Sequence, residues 1–392
     1  MQISDRIQGI AASQSLQMAA RAKQMQEAGV DIISMSLGEP DFDTPERIRR
    51  AAQEAIDNHW SHYGPVAGIP SLREAIAHSS VSNCPFSIAF TRDDVMVSVG
   101  AKMAIFNAIQ TAINPGDEVI IPMPAWVSYT EMVKLAQGEV VPVQTRFDDN
   151  YCMTPEQLRN ALTSRTRLLI LCSPNNPTGS VYTHEQLAAL VAVLRDFPEV
   201  SILSDEIYAS LTYDGEAVSM ASFPEMEDRL IIVNGVSKAY AMTGYRIGWL
   251  MTKNKAFLAA CMRLQGQQVT CATMIAQKAA EAALTGSQDC VSEMKKVFEE
   301  RRELICRLAV SIPAFRFHKP QGAFYLFPDV SAVGSGDEVA EYLLDKAHVA
   351  VVSGSAFGCL ECIRLAYAIS TEQITEAMQR IKNALDDLSG RK

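Results

Sequence analysis

Short apolar runs punctuate the chain, and they set its reading. Residues 95–99, 118–122, 167–172, 200–203 and 230–233 are each nearly continuous in Val, Ile and Leu. Runs of that length, bounded by turn residues, read as strands buried in a sheet. Between and around them the apolar positions are spaced as on helices. Such segments run from Thr44 to about Asn58, from Gly100 to about Ile113, and over residues 255–265 and 271–284. A long amphipathic helix is expected over 289–309 and a closing helix over 371–388. Near the N-terminus a helix of roughly 16–28 follows an arm carrying Ser13 and Ser15, and 32–37 reads as a short strand. Ser71 and Glu74 stand at capping-box spacing for a further helix. Strands at 322–327, 349–352 and 363–368 form a second, smaller unit. Strands alternating with helices predict an α/β fold.

Several chemistry-bearing residues follow directly on those strands. Lys238 lies just past the run 230–233, where open α/β sheets place their ligands. Most lysines after a strand are solvated; one held out of water there has a depressed pKa and suits Schiff-base chemistry. Gly100-Ala101-Lys102 turns a strand into a helix whose free N–H groups face an anion. Trp126 follows 118–122 and reads as core or as a platform for a flat ligand. Asp205 ends a buried strand, where it is either a helix cap or paired with a cation. Tyr208, three residues on, shares a helical face with Asp205 if a helix starts there. Arg364 sits within an apolar strand, so it faces water at an edge or grips a buried anion.

Composition narrows the class. The 392 residues are 48% hydrophobic and 20% charged, enough for one or two domains with a sizeable core. The net charge of −10 disfavours nucleic acid. No apolar run is long enough to span a membrane, and no secretory signal is visible, so a cytoplasmic protein is expected. Nine scattered cysteines fit reduced thiols. Cys359 and Cys362 form a CxxC with no second pair nearby, which reads as packing before metal or redox chemistry.

Taken together, Ser36-Leu-Gly-Glu-Pro-Asp-Phe-Asp-Thr-Pro45, His62-Tyr-Gly-Pro-Val-Ala-Gly-Ile-Pro70, Ser173-Pro-Asn-Asn-Pro-Thr-Gly179, Ser204-Asp-Glu-Ile-Tyr208, Asn234-Gly-Val-Ser-Lys-Ala-Tyr-Ala-Met-Thr-Gly-Tyr-Arg-Ile-Gly248 and Cys362-Ile-Arg-Leu365 resemble, in this order, the motifs of class I aminotransferases that depend on pyridoxal 5′-phosphate (PLP). The resemblance covers nearly the whole chain and is strongest to the subgroup of aspartate and prephenate aminotransferases. It implies the fold-type I PLP-transferase architecture: a large domain with a mostly parallel seven-stranded sheet flanked by helices, and a smaller α+β domain. The expected division is an N-terminal arm and part of the small domain at 1–45, a large PLP-binding domain at 46–288 and a small C-terminal domain at 289–392.

The resemblance also implies roles. Lys238 forms the Schiff base and Asp205 pairs with the pyridine nitrogen. Tyr208 and Asn176 donate to the phenolic oxygen, and Trp126 stacks on the ring. Gly100, Ala101, Ser237 and Arg246 hold the phosphate. Tyr63 and Thr270 reach the phosphate of a neighbouring subunit in a homodimer with shared sites. Arg364 grips the substrate α-carboxylate, with Gly38, Trp126, Asn176 and Ser15 also lining the substrate. Lys102 faces either the phosphate or a distal carboxylate. Where the family has Ser-x-Thr this chain has Ser13-Gln-Ser15, and Val269-Thr270-Cys271 replaces Ser-Thr-Ser. The implied reaction passes an amino group from an L-amino acid, aspartate first, to a 2-oxo acid, 2-oxoglutarate first, by ping-pong steps. Prephenate, alanine or aromatic partners stay open, as do a PLP-dependent lyase or biosynthetic enzyme and a non-catalytic PLP-binding regulator.

Overall fold

The computed structural model describes residues 2–12, 14–83 and 87–390. In chain order the strands are β1 (Ile33–Ser34), β2 (Val95–Val99), β3 (Glu118–Met123), β4 (Glu139–Gln144), β5 (Thr166–Cys172), β6 (Ser201–Asp205), β7 (Leu230–Gly235), β8 (Ile247–Met251), β9 (Tyr325–Leu326), β10 (Val349–Ala350), β11 (Val352–Ser353) and β12 (Ile363–Ala366). Seven of them make one sheet in the order β2-β8-β7-β6-β5-β3-β4. It is parallel from β4 to β7, and β8 runs antiparallel to both of its neighbours.

The continuous apolar runs are explained by burial on both faces. Leu169 and Leu171 of β5 join Ile120, Ile202, Ile232 and the helices His184–Leu194 and Met274–Thr285. Leu168 and Ile170 of the same strand point the other way, to Val119, Leu203, Val233 and the helix Gly100–Ala112. β4 carried no such signal in the sequence. It is the edge strand, half of its residues are exposed, and it includes Pro142, whose missing N–H is tolerated at an edge.

The smaller unit has its own core, with Phe298, Ile305, Phe324, Leu326, Leu365, Ile374 and Ile381. Its sheet runs β11-β12-β9, and β10 pairs with β1 from the N-terminal segment. The helix Asp289–Ala309 has the span its pattern predicts. It carries Arg301, whose guanidinium grips both oxygens of Asp41 at 2.6 and 2.8 Å and so ties the 38–41 segment down.

Some local expectations fail for identifiable reasons. The expected strand 322–327 is regular only over β9, and 32–37 only over β1. The capping box at Ser71 and Glu74 does not form: the helix Pro70–Asn83 already begins at Pro70, so Ser71 lies inside it. The first long helix spans Gln14–Glu27, which puts Ser15 in a helix and not in an extended arm. Ser13 and the side chain of Ser15 lie outside the described residues.

Candidate active site

The ends of β2, β3, β5, β6 and β7 open on the same side of the sheet, as parallel pairing requires. Their side chains meet segments of the smaller unit around a cavity of about 550 Å³. Gly38, Ala101, Lys102, Trp126, Asn176, Asp205, Tyr208, Ser237, Lys238, Arg246 and Arg364 all line it. Residues up to 328 apart in sequence are thus brought together, as in the bond from Arg364 to the Ser36 carbonyl.

Lys238 follows β7, half-buried, and its Nζ donates to the carbonyl of Gly38 at 2.5 Å. Burial draws its pKa down to about 8. Asp205, 3% exposed, closes β6 opposite Cys172 of β5. One of its oxygens accepts from Tyr129 at 2.6 Å and the other from the Ile207 N–H at 3.2 Å. Burial pushes this carboxyl up to about 6, and the Tyr129 hydroxyl works against that rise. The pairing of Asp205 with Tyr208 does not come from a helix. Ile207 and Tyr208 form a turn, and Tyr208 precedes a single 3₁₀ turn at Ala209–Leu211. The turn still points both side chains into the cavity.

At the end of β2, Gly100 opens the helix Gly100–Ala112 with φ +76°. A Cβ there would lie 2.5 Å from Nη2 of Arg246, so glycine admits the guanidinium against the helix N-terminus. Lys102 stands on the first turn with its Nζ 4.7 Å from the centre of the Trp126 ring. Burial, then Arg246, lower its pKa. Trp126 packs edge-on to Tyr129 at 5.3 Å. The two asparagines of the 173–179 turn divide the work. Asn175 ties the turn to the Pro124 carbonyl and Thr178. Asn176 accepts from Arg364 at 2.9 Å through its carbonyl oxygen, which leaves its NH₂ group for the cavity.

Arg364 is buried in β12 and not at a solvent-facing edge, with 3% exposure. Its guanidinium lies over the rings of Tyr325 and Phe357 at 4.5 and 4.9 Å. Its Nε has no hydrogen-bond partner, and desolvation lowers its pKa. A buried guanidinium without a carboxylate is costly unless an anionic ligand completes it. Four basic groups (Lys102, Lys238, Arg246, Arg364) line the cavity against two carboxylates (Glu39, Asp205). Among the described residues, none of the four has a carboxylate within ion-pair distance.

Sequence reasoning missed Tyr129 and Tyr325. Tyr325 hydrogen-bonds Tyr208 at 2.8 Å, and its hydroxyl lies 2.5 Å from where a Cβ on residue 38 would stand. The physical signal for Tyr129 was its place a helical turn beyond Trp126. Tyr325 gave none, since the strand that aims it is only two residues long. Tyr63 and Thr270 are not at this cavity. Tyr63 is 88% exposed, and Thr270 adopts φ +64° in the link between two helices. Among the described residues, no group of three or more His, Cys, Asp or Glu is placed to hold a metal ion.

An amine of lowered pKa, a buried carboxylate, an aromatic plane and an anion cradle at a helix N-terminus fit PLP group by group. The buried arginine adds a place for the carboxylate of an amino acid. This is the constellation of a PLP-dependent enzyme of amino-acid chemistry. The sequence profile of the family described as aminotransferase class I and II matches residues 30–381. An aspartate aminotransferase of Bacillus sp. (strain YM-2) is 41% identical over 97% of this chain and 98% of its own length. An aspartate/prephenate aminotransferase of Nitrosomonas europaea is 40% identical over 98% of this chain and 100% of its own. The solved aspartate aminotransferase of Thermus thermophilus with maleate superposes with a TM-score of 0.93 at 38% identity, covering 98% of this chain and all of that one. The chain belongs to the aminotransferase class I and II family and is a PLP-dependent aminotransferase of fold type I.

Proposed function

We propose that the chain transfers the amino group of L-aspartate to 2-oxoglutarate, with Arg364 and Lys102 holding the two carboxylates of each substrate. The observation that carries this reading is the buried, carboxylate-free guanidinium of Arg364 lining the same cavity as Lys102, a second cation with no ion-pair partner among the described residues. Relatives named aspartate aminotransferase, and a structural neighbour holding the dicarboxylate maleate, support the same substrate class.

In this reading Ser237, Arg246 and the N–H groups of Gly100 and Ala101 bind the phosphate of PLP, and Trp126 covers one ring face and excludes water. Asp205 holds the proton on the ring nitrogen, and Tyr129 keeps its carboxylate ionised and oriented. Tyr208 and the Asn176 amide donate to the phenolic oxygen. PLP, when bound, supplies a carbonyl that Lys238 can attack and a ring that accepts electrons. Arg364 fixes the α-carboxylate and Gly38 lets the substrate approach the backbone closely. The amine of Lys238 then removes the proton from the substrate Cα and returns one during the second half of the cycle.

Tyr63 and Thr270 act from the neighbouring subunit of a homodimer, which accounts for the exposure of Tyr63 in a single chain. The working division is a PLP-binding domain at 46–288 and a small domain at 289–392, to which part of 1–45 belongs, as the pairing of β1 with β10 supports. No helix among the described residues is long and apolar enough to cross a membrane, and we place the enzyme in the cytoplasm. Prephenate as a further substrate is the second reading. It too carries two carboxylates, and the Nitrosomonas relative is named for it.

The test is the visible spectrum of the PLP-loaded protein. L-aspartate alone should bleach the cofactor band, and 2-oxoglutarate should restore it. A band unmoved by aspartate but bleached by alanine or an aromatic amino acid would overturn the dicarboxylate assignment.

A further inference from the structure

Cys359 and Cys362 occupy the first and last positions of a tight turn, with the Cys362 N–H directed at the Cys359 carbonyl at 3.5 Å. Their sulfur atoms lie 3.1 Å apart. No other two thiols among the described residues touch one another. The ends of a four-residue turn lie within about 7 Å at Cα, which is the separation a disulfide spans. Access is graded. Cys359 is half-buried beside the exposed Leu360 and Glu361, whereas Cys362 is buried against Phe327, Val352 and Phe357.

The turn also sits on the frame of the substrate site. Cys362 precedes Arg364 by two residues, so strand alternation puts both on one face. Phe357 packs with Cys362 and lies under the Arg364 guanidinium at 4.9 Å. The Phe357 carbonyl accepts from the N–H of Ala125, the residue before Trp126, at 3.0 Å. Tyr151, on the large unit, meets the Cys362 sulfur at 3.6 Å. A change in the dithiol is therefore one packed residue away from two walls of the cavity.

We propose that Cys359 and Cys362 are a modification site: a dithiol that low-molecular-weight disulfides oxidise to an intrachain disulfide, loosening the hold of Arg364 on substrate carboxylates. The Cys359 thiolate attacks one sulfur of the small disulfide and expels its other half as a thiol. The Cys362 thiolate then displaces the second half. Two electrons pass from the protein to the small disulfide, and the two thiol protons leave with the two released thiols. Closing the sulfur contact to a bond of about 2.05 Å draws Cys362 toward Cys359. Phe357 and the strand leading into Arg364 move with it.

The carboxylate role of Arg364 rests on the proposed function above; the oxidation itself does not. The test equilibrates the PLP-loaded enzyme with mixtures of oxidised and reduced glutathione, then blocks free thiols and digests. The fragment bearing both cysteines should lose two hydrogens and carry no blocking group. The KM for L-aspartate should rise about threefold or more with kcat little changed, a response scaled to sub-ångström misplacement of a binding group. Dithiothreitol should reverse both. Cys359→Ser, at the accessible position, should leave the reduced enzyme unaltered and abolish both responses. A pair that stays reduced, or only gains glutathione, overturns the site. A pair that oxidises with unchanged KM overturns its link to Arg364. If the reduced enzyme does not accept aspartate, the dicarboxylate reading has failed separately, and the KM is read with whichever amino acid bleaches the cofactor band.

Discussion

Lys238 acquires its chemistry from position, since a lysine in water is protonated at neutral pH. Desolvation draws its pKa down to about 8, and the nearby guanidinium groups of Arg364 and Arg246 act in the same direction. The neutral amine is the nucleophile, so the sign follows: below about 8 the reactive fraction falls as pH falls. PLP uptake by cofactor-free protein should speed up about tenfold per pH unit on the acid side and level off above about pH 8. Stopped-flow absorbance reads this directly, and a profile still climbing steeply to pH 10 would mean the lysine is not desolvated. Lys102 makes a different prediction. Lys102→Ala should raise the KM for aspartate about tenfold or more while hardly changing that for alanine, because a charge-assisted contact of about 1.5–3 kcal/mol is lost only with a distal carboxylate. If PLP affinity falls instead, Lys102 belongs to the phosphate.

At the scale of elements, the site is assembled from strand ends and the turns that leave them. The turn from β2 into the helix Gly100–Ala112 shows why such turns tolerate little change. Gly100→Ala would place a Cβ in a left-handed conformation, costing roughly 1–2 kcal/mol, and would press on Arg246. Urea unfolding of the cofactor-free variant should show that modest loss. PLP titration should show a larger one, since Arg246 is displaced from the helix N-terminus. Equal losses in the two measurements would mean Arg246 does not serve the phosphate. Two-sided burial made most of these strands legible in sequence, but not β8, which is buried along its whole length and whose short apolar run is broken by Gly248. β2, β3, β5, β6 and β7 announced themselves as apolar runs. β4 did not, because an edge strand needs apolar residues on neither face along its whole length. Ser71 and Glu74 had the spacing of a cap, yet Pro70 was already a better first residue for that helix.

For the whole molecule, the decisive question is the second subunit. Tyr63 extends into solvent in the single chain, so its proposed phosphate contact exists only if a partner's site lies against it. Sedimentation should show a dimer, and Tyr63→Ala should weaken PLP binding in that dimer without altering the chain's own fold. An active monomer, or an unchanged PLP affinity, would remove Tyr63 from the site. By itself the sequence determined the α/β class, five of the seven strands of the main sheet, the long helix Asp289–Ala309 and the motif residues, because local apolar pattern and turn chemistry are short-range properties. It could not determine which polar groups would meet. Only the tertiary structure set Tyr129 against Asp205, Tyr325 against Tyr208, and Asn176 against Arg364. It also left Arg364 buried with no carboxylate beside it and brought the two thiols of the 359–362 turn into contact. The three side-chain pairings of the site join residues on separate elements far apart in sequence. Their energies depend on desolvation and mutual geometry, which the order of residues along a chain does not carry.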